Sequence, residues 1–132
     1  MPKLLLHYGI VFVVFFAIDL FWLGIIAKNL YAKYLGYLMA PKVNWTAAVL
    51  FYLLFILGLL VFVIEPALIK QNLMELILTA ALFGLVTYST FDLTNLATVK
   101  DWPSLFTVVD VAWGLSRAVL VSTISYFILK LL

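Results

Sequence analysis

Asp19, Asp92, Asp110 and Arg117 each stand inside a stretch that is otherwise almost entirely apolar. At the centre of a membrane helix an Asp or Arg costs about 2.5–3.5 kcal/mol on insertion scales. Such residues therefore face a bundle interior or a water-filled cavity, and by default mark a ligand or ion site. Asp19 precedes Lys28 by nine residues and Asp92 precedes Lys100 by eight. At about 1.5 Å per residue these are depths of ~13 and ~12 Å. Asp110 follows Pro103 by seven residues, or ~10 Å. The first and third stretches run towards the face from which the fourth departs, so the three carboxylates are expected at nearly one level. Arg117, seven residues beyond Asp110, falls two turns and ~10 Å deeper on the same side of its helix.

The neighbours of these residues extend the pattern. Trp22 lies three residues after Asp19 and Trp113 three after Asp110, giving the units DLFW and DVAW. A buried indole N–H needs an acceptor, and a carboxylate one turn away is expected to serve. Tyr88, Asp92 and Asn95 share one helical face at spacings of four and three, where a phenol and an amide can bond a carboxylate or a ligand. Gly24, Gly84 and Gly114 are expected to let helices approach closely.

Two readings of the cluster follow. Three carboxylates against one Arg leave up to two negative charges uncompensated, and in low dielectric a proton or a bound cation is expected to neutralise them. Oxygen ligands alone favour a hard cation such as Mg²⁺, Ca²⁺ or Na⁺, or a proton relay, over soft transition metals; Asp19, Asp92 and Asp110 are the candidate ligands. The functional reading is thus a ligand site made by Asp19, Asp92, Asp110, Asn95, Tyr88, Trp22, Trp113 and Arg117, opening towards the Lys28/Lys100 face. In the structural reading the same groups form a satisfied network, with Asp110 or Asp92 neutralised by Arg117 or protonated. Interhelical hydrogen bonds in membranes contribute about 0.6 kcal/mol each, so such a network need not be strong. His7, on the opposite side from the carboxylates, reads as an interfacial side chain, and Glu65 and Glu75 as solvated helix-end charges. The eleven Phe and seven Tyr read as packing or lipid-facing residues that imply no cofactor.

The elements that hold these residues follow from composition. The chain has 132 residues, 67% hydrophobic and only 11% charged, with mean hydropathy +1.24. Soluble domains are nearer half apolar and a quarter charged, so a soluble enzyme is excluded. Absence of Cys and a single His exclude disulfides, thiolate zinc sites, iron–sulfur clusters and a bis-His haem site within one chain. A net charge of +2 is too small for nucleic acid. A membrane helix needs about 20 mostly apolar residues, and four stretches qualify: roughly 4–27, 45–64, 73–98 and 104–129. The expectation is an all-α, single-domain integral membrane bundle of four transmembrane helices. Lys28 closes the first span, Asn44 and Trp45 open the second, and Glu65-Pro66 stops it. Asn72 with Glu75 reads as a capping box opening the third. Lys100, Asp101, Trp102 and Pro103 form a polar turn before the fourth, which Lys130 ends. Trp45 and Trp102 suit an aromatic belt. The first span resembles a signal peptide in its basic start, but its length, Asp19 and the lack of a cleavage pattern favour an uncleaved helix.

Residues 28–40 are too polar to span. Leu30, Tyr31, Tyr34, Leu35 and Leu38 fall on one side at helical spacing and Lys28, Asn29, Lys33 and Gly36 on the other. This predicts a short interfacial helix between the first two spans, ended by Pro41. Both termini then lie on one side with Lys3, Lys70 and Lys130, against Lys28, Lys33, Lys42 and Lys100 on the other. The balance leans towards a cytoplasmic Lys28–Lys42 loop. FAIDLFWLGIIAK and STFDLTNLATVK share Asp-Leu-x-x-Leu with a Lys eight or nine residues after the Asp, a faint echo of a duplicated hairpin.

The segments IDLFWLGIIAK, LMAPKVNWTAA, TFDLTNLAT and DWP followed by VDVAWG, in this order, resemble the bacterial "predicted membrane protein" family, domain-of-unknown-function family 2177. The resemblance covers nearly the whole chain. It implies a multi-pass protein of the bacterial inner membrane and implies no activity. The family pattern carries Asp19, Trp22, Asp92, Asn95, Asp110 and Trp113. Arg117 departs from it, since smaller residues follow the Trp-Gly pair in the family, and a family-wide role for Arg117 as counter-ion is thereby in doubt.

Three functions fit these residues. The first is binding, or transport, of a small cation or polar ligand at the Asp cluster; transport through so narrow a bundle would call for a homodimer. The second is a membrane enzyme acting on lipid, with one Asp as general base and Arg117 or Tyr88 on the headgroup, although no strong nucleophile or metal motif supports catalysis. The third is an accessory protein whose polar cluster only holds the bundle together. No cofactor beyond a hard cation is implied, and membrane lipid is the expected surrounding partner.

Overall fold

The structure, a computed structural model, describes residues 2–39, 42 and 44–132, leaving aside the side chains of residues 2, 25–29 and 31. Among the described residues every regular element is helical. Four stretches are long and apolar enough to cross a membrane: Lys3–Gly24, Trp45–Lys70, Leu73–Thr98 and Ser104–Leu131. The expected all-α bundle of four such helices, with a short helix between the first two, is the architecture found.

The first helix, α1 (Pro2–Phe21), passes through a π turn (Trp22–Ala27) directly into the short helix α2 (Lys28–Leu35) and a 3₁₀ turn (Gly36–Leu38). Lys28 therefore does not end the helix. A charge marks where apolar surroundings stop, whereas the backbone keeps its hydrogen bonds until a residue cannot continue them. On α2, Leu35 is buried and Lys33 exposed, as its two-sided pattern requires. Lys28, Asn29, Tyr31 and the expected stop at Pro41 lie outside the described residues or side chains.

The second crossing corrects the sequence reading. It comprises α3 (Trp45–Leu59), a π turn (Leu60–Ile64) and α4 (Glu65–Lys70), so it runs on through Glu65-Pro66. Proline lacks an N–H, and its ring clashes with the carbonyl four residues back. For Pro66 that carbonyl belongs to Phe62, inside the π turn, and the widened turn accommodates the ring. The crossing ends at Gln71, whose φ of 53° is left-handed and whose N–H bonds the Ala67 carbonyl. Asn44 caps α3 by accepting from the Ala47 N–H at 3.1 Å.

Continuing the helix also carries Glu65 inward. His7 is buried within the bundle, and its Nδ1 lies 2.6 Å from Glu65 Oε1. Glu65 is accordingly half-buried and paired with His7 instead of solvated. Glu75 behaves as expected of a helix-end charge, pairing with exposed Lys70 at 2.8 Å.

Helices α5 (Leu73–Thr98) and α6 (Ser104–Leu131) form the tightest pair. Asn72 caps α5, accepting from the Glu75 N–H at 3.0 Å. In a bilayer no hydrophobic force drives helices together, so close packing must do so. Two glycines permit it: a Cβ on Gly84 would stand 2.6 Å from the Gly114 carbonyl oxygen and 2.7 Å from Leu115 Cα. A Cβ on Gly114 would stand 2.1 Å from Tyr88 Cγ. Gly24 has nothing within 4 Å of its Cβ position, so it makes no close approach.

Helix α6 packs on both α5 and α1. The second crossing joins them unevenly. Its later part, from Leu60 onward, packs on α5 and α6, whereas α3 rests chiefly on α1. The core is densest where the later part packs, with Leu59, Leu60, Ile64, Leu76, Ala80 and Val121 fully buried. Around the start of α3 the helices diverge and leave a cleft.

Candidate functional site

The polar groups of the bundle occupy two levels. At the deeper one the Arg117 guanidinium donates to the Asp19 carboxylate across the α6–α1 contact, both side chains being about 95% buried or more. The guanidinium carbon lies 4.7 Å from the Phe15 ring centroid, 5.3 Å from Tyr88, 5.4 Å from Phe55 and 5.9 Å from Trp113. Ring faces carry negative potential, and desolvated cation–π contacts contribute about 2 kcal/mol. This ring set explains how an Arg is held in an apolar interior with one carboxylate as counter-charge. The Tyr52 phenol of α3 reaches the same carboxylate. The expectation that Arg117 neutralises Asp110 or Asp92 is therefore corrected: its partner is Asp19.

Directly above, Trp22 and Trp113 stack with ring centroids 4.2 Å apart and planes 8° from parallel. Both indole Nε1 atoms are buried without a hydrogen-bond acceptor. The expected Asp-to-Trp hydrogen bonds one turn along each helix are not formed, because the ring faces turn towards each other. This stack fixes the register of α1 against α6. Asp19 lies one turn below it and Asp110 one turn above, so the carboxylates span about 10 Å of depth rather than one level.

At the upper level Asp92 on α5 is fully buried, and its carboxyl group faces that of Asp110 on α6. Neither Asp92 oxygen meets a hydrogen-bond donor. Tyr88, one turn deeper on α5, leans over Gly114 and Arg117 and so belongs to the lower level. Asn95, one turn higher, is half-buried, and its carbonyl accepts from the Val99 N–H that closes α5. Among the described residues no three His, Asp or Glu side chains gather as metal ligands.

The cleft between α3 and the α5–α6 pair is a cavity of about 720 Å³. Asp19, Arg117, Tyr52, Tyr88, Thr87 and Asp110 supply its polar lining, and Trp22 and Trp113 line it as well. Leu35, the last residue of α2, and Met39, just after the 3₁₀ turn, cover it, while Trp45, Phe51 and Phe91, all exposed, form its rim. Ligand sites are commonly mostly apolar cavities of such size with a few converging polar groups. Six of the eight residues singled out in the sequence meet here; Asp92 stands behind Asp110, and Asn95 stays outside. The sequence reading missed Tyr52, Phe15 and Phe55. Tyr52 is the lone phenol in the second apolar stretch, a signal of the same kind as Asp19 in the first.

No curated protein and no solved structure matches the chain. A family model described as "Predicted membrane protein", domain-of-unknown-function family 2177, matches residues 4–127. With nearly its whole length matched, this four-helix chain belongs to that family of membrane proteins.

Proposed function

We propose that the chain binds a small organic cation with an apolar body in the cleft between α3 and the α5–α6 pair. The observation that supports this most is the placing of the Asp110 carboxylate in an aromatic cavity of about 720 Å³. Asp19 is paired with Arg117, and Asp110 is the other carboxylate among the cavity's described lining residues. A carboxylate among Trp, Tyr and Phe rings attracts ammonium-like cations through charge and ring faces together. A metal ion such as Ca²⁺ takes about six to eight oxygen ligands, more than the two carboxyl groups supply. Movement of the ligand across the membrane would need a second copy, since four helices make a narrow bundle. We place the protein in the bacterial inner membrane, with the Lys28–Lys42 loop on the cytoplasmic side.

A second reading, a lipid substrate whose headgroup meets Asp110 as general base, is favoured by the exposed apolar rim at Phe51 and Phe91.

The test uses the three tryptophans that line the cavity, Trp22, Trp45 and Trp113, as reporters. The full chain in non-ionic detergent is titrated with tetraphenylphosphonium and, separately, with tetraphenylborate, ions of one shape and opposite charge. Saturable quenching by the cation alone is expected, with affinity about tenfold or more weaker in Asp110→Asn, as loss of a charged partner implies. Equal quenching by both ions, or none by either, would overturn the reading.

A further inference from the structure

We infer that the ligand of the cleft is a membrane amphiphile, a cationic head on an alkyl tail, which enters sideways from one leaflet through a slot between α3 and α5. This inference rests on the cation-binding reading above and adds to it the tail and the route of entry.

The slot has two walls, a floor and a cover. Ala48 and Phe51 of α3 form one wall and Thr87 and Phe91 of α5 the other; all four line the cavity. Phe51 is 46% exposed and Phe91 51% exposed, so the cavity opens between them to the outside of the bundle. Depth decides what lies outside. Phe51 follows Trp45, the start of α3, by six residues, and Phe91 precedes Thr98, the end of α5, by seven. Both rings therefore stand about 9–10 Å along their helices from the boundary. That is within the hydrocarbon core, whose half-thickness is about 15 Å. The floor is Phe55, one turn deeper on α3, whose buried ring meets Phe83 at 5.4 Å and Tyr88 at 6.1 Å on α5. Ten residues from Trp45, it lies about 15 Å deep, near the midplane. The opening thus faces the acyl chains of a single leaflet.

Towards water the cavity is covered by Leu35 and Met39, and the Tyr37 hydroxyl ties that segment to the Asp101 carbonyl at 2.6 Å. The chemistry of the walls suits a hydrocarbon occupant. Polar groups that face lipid must be satisfied internally, and the Thr87 hydroxyl already donates to the Phe83 carbonyl of its own helix at 2.8 Å. The charged lining residues Asp19, Asp110 and Arg117 are buried, behind the exposed rings of Phe51 and Phe91. A head that passes inward meets charge, and the tail left in the slot keeps apolar surroundings. Entry by this route carries no methylene through water.

The test uses the full chain in phosphatidylcholine vesicles. The sequence has no Cys, so Phe51→Cys with Phe91→Cys can be joined across the slot by a bismaleimide. The probes are dodecyltrimethylammonium and dodecyl sulfate, one tail with opposite heads, each brominated beside the head so that binding quenches the cavity tryptophans. Tetraphenylphosphonium serves as the cation without a tail. Saturable quenching by the brominated ammonium ion is expected, with affinity about tenfold or more weaker once the same variant is cross-linked, since each methylene kept from apolar surroundings costs about fourfold. Ala48→Trp, which fills the slot from α3 without any cross-link, is expected to give the same loss. Tyr37→Phe, which loosens the cover, is expected not to speed association. Ammonium binding undiminished by the cross-link and by Ala48→Trp overturns the inference and leaves the cation reading intact; faster association in Tyr37→Phe would then mark the cover as the entrance. Binding of tetraphenylphosphonium without that of dodecyltrimethylammonium likewise overturns the inference alone. Dodecyl sulfate bound as tightly as the ammonium ion, with both lost on cross-linking, overturns the cation reading and leaves the slot standing. No binding by any probe overturns both.

Discussion

Arg117 on α6 donates to Asp19 on α1 across 98 positions of sequence, and this buried pair joins the two ends of the chain. Removing one partner of such a pair leaves an uncompensated charge and costs about 3–5 kcal/mol, whereas replacing both by apolar groups is often neutral. Arg117→Met is therefore expected to destabilise the bundle by about that amount. The double variant Asp19→Leu with Arg117→Met should recover most of the loss. Reversible denaturation in mixed detergent micelles measures both. A double variant as unstable as Arg117→Met would show that the cost lies in lost packing on Phe15 and Phe55, not in the stranded carboxylate.

The α5–α6 contact sets a second expectation. Gly84 would place a new methyl within 2.7 Å of backbone atoms of Gly114 and Leu115, and backbone cannot swing aside. Overpacking of this kind costs about 1–3 kcal/mol, so Gly84→Ala should lower stability by that amount. At Gly58 the atom in the way is the end of the Phe83 ring, 2.7 Å off, which can rotate. At Gly24 nothing lies within 4 Å, and Ala there should be neutral or stabilising by up to about 1 kcal/mol through helix propensity. The order Gly84 worst, Gly58 intermediate, Gly24 best is read from one thermal-stability series. Gly24→Ala as damaging as Gly84→Ala would contradict this packing.

What the sequence made legible, and what it hid, divides along physical lines. Hydropathy is a property of single residues summed over a window, so the four apolar helices could be read directly, and the Asn72 cap from its spacing to Glu75. Polar residues in apolar runs were equally visible, and Asp19, Asp110 and Arg117 do line one cavity. Their partners were not legible. Pairing depends on how helices rotate and slide against each other, and here the Trp22–Trp113 stack sets that register. A shift of one turn between α1 and α6 would carry Asp19 about 5 Å away from Arg117. Pro66 misled for a related reason: a proline forbids a regular turn, but a wider turn over Leu60–Ile64 lets the helix proceed. The cleft itself arises from that uneven second crossing, a tertiary fact with no signature in any single segment.

A hydrogen bond fastens the cover of the cleft. Tyr37, in the 3₁₀ turn after α2, donates its hydroxyl to the Asp101 carbonyl at 2.6 Å, tying the segment that carries Leu35 and Met39 to the turn between α5 and α6. Asp101 has a φ of 60°, a left-handed conformation that Asp tolerates better than most residues. A single neutral hydrogen bond contributes about 0.5–1.5 kcal/mol, and Tyr37 is 58% exposed. Tyr37→Phe should thus leave global unfolding nearly unchanged while the cover opens more often. A loss of about 1 kcal/mol corresponds to roughly fivefold faster amide hydrogen exchange at residues 36–39. Quenching of the cavity tryptophans by acrylamide should rise in parallel, because Leu35 and Met39 shield them. Asp101→Gly probes the other end: the carbonyl stays and the left-handed backbone loses its penalty, so exchange there should not accelerate. Unchanged exchange in Tyr37→Phe would mean that the buried Leu35 side chain, rather than the hydroxyl, holds the cover in place.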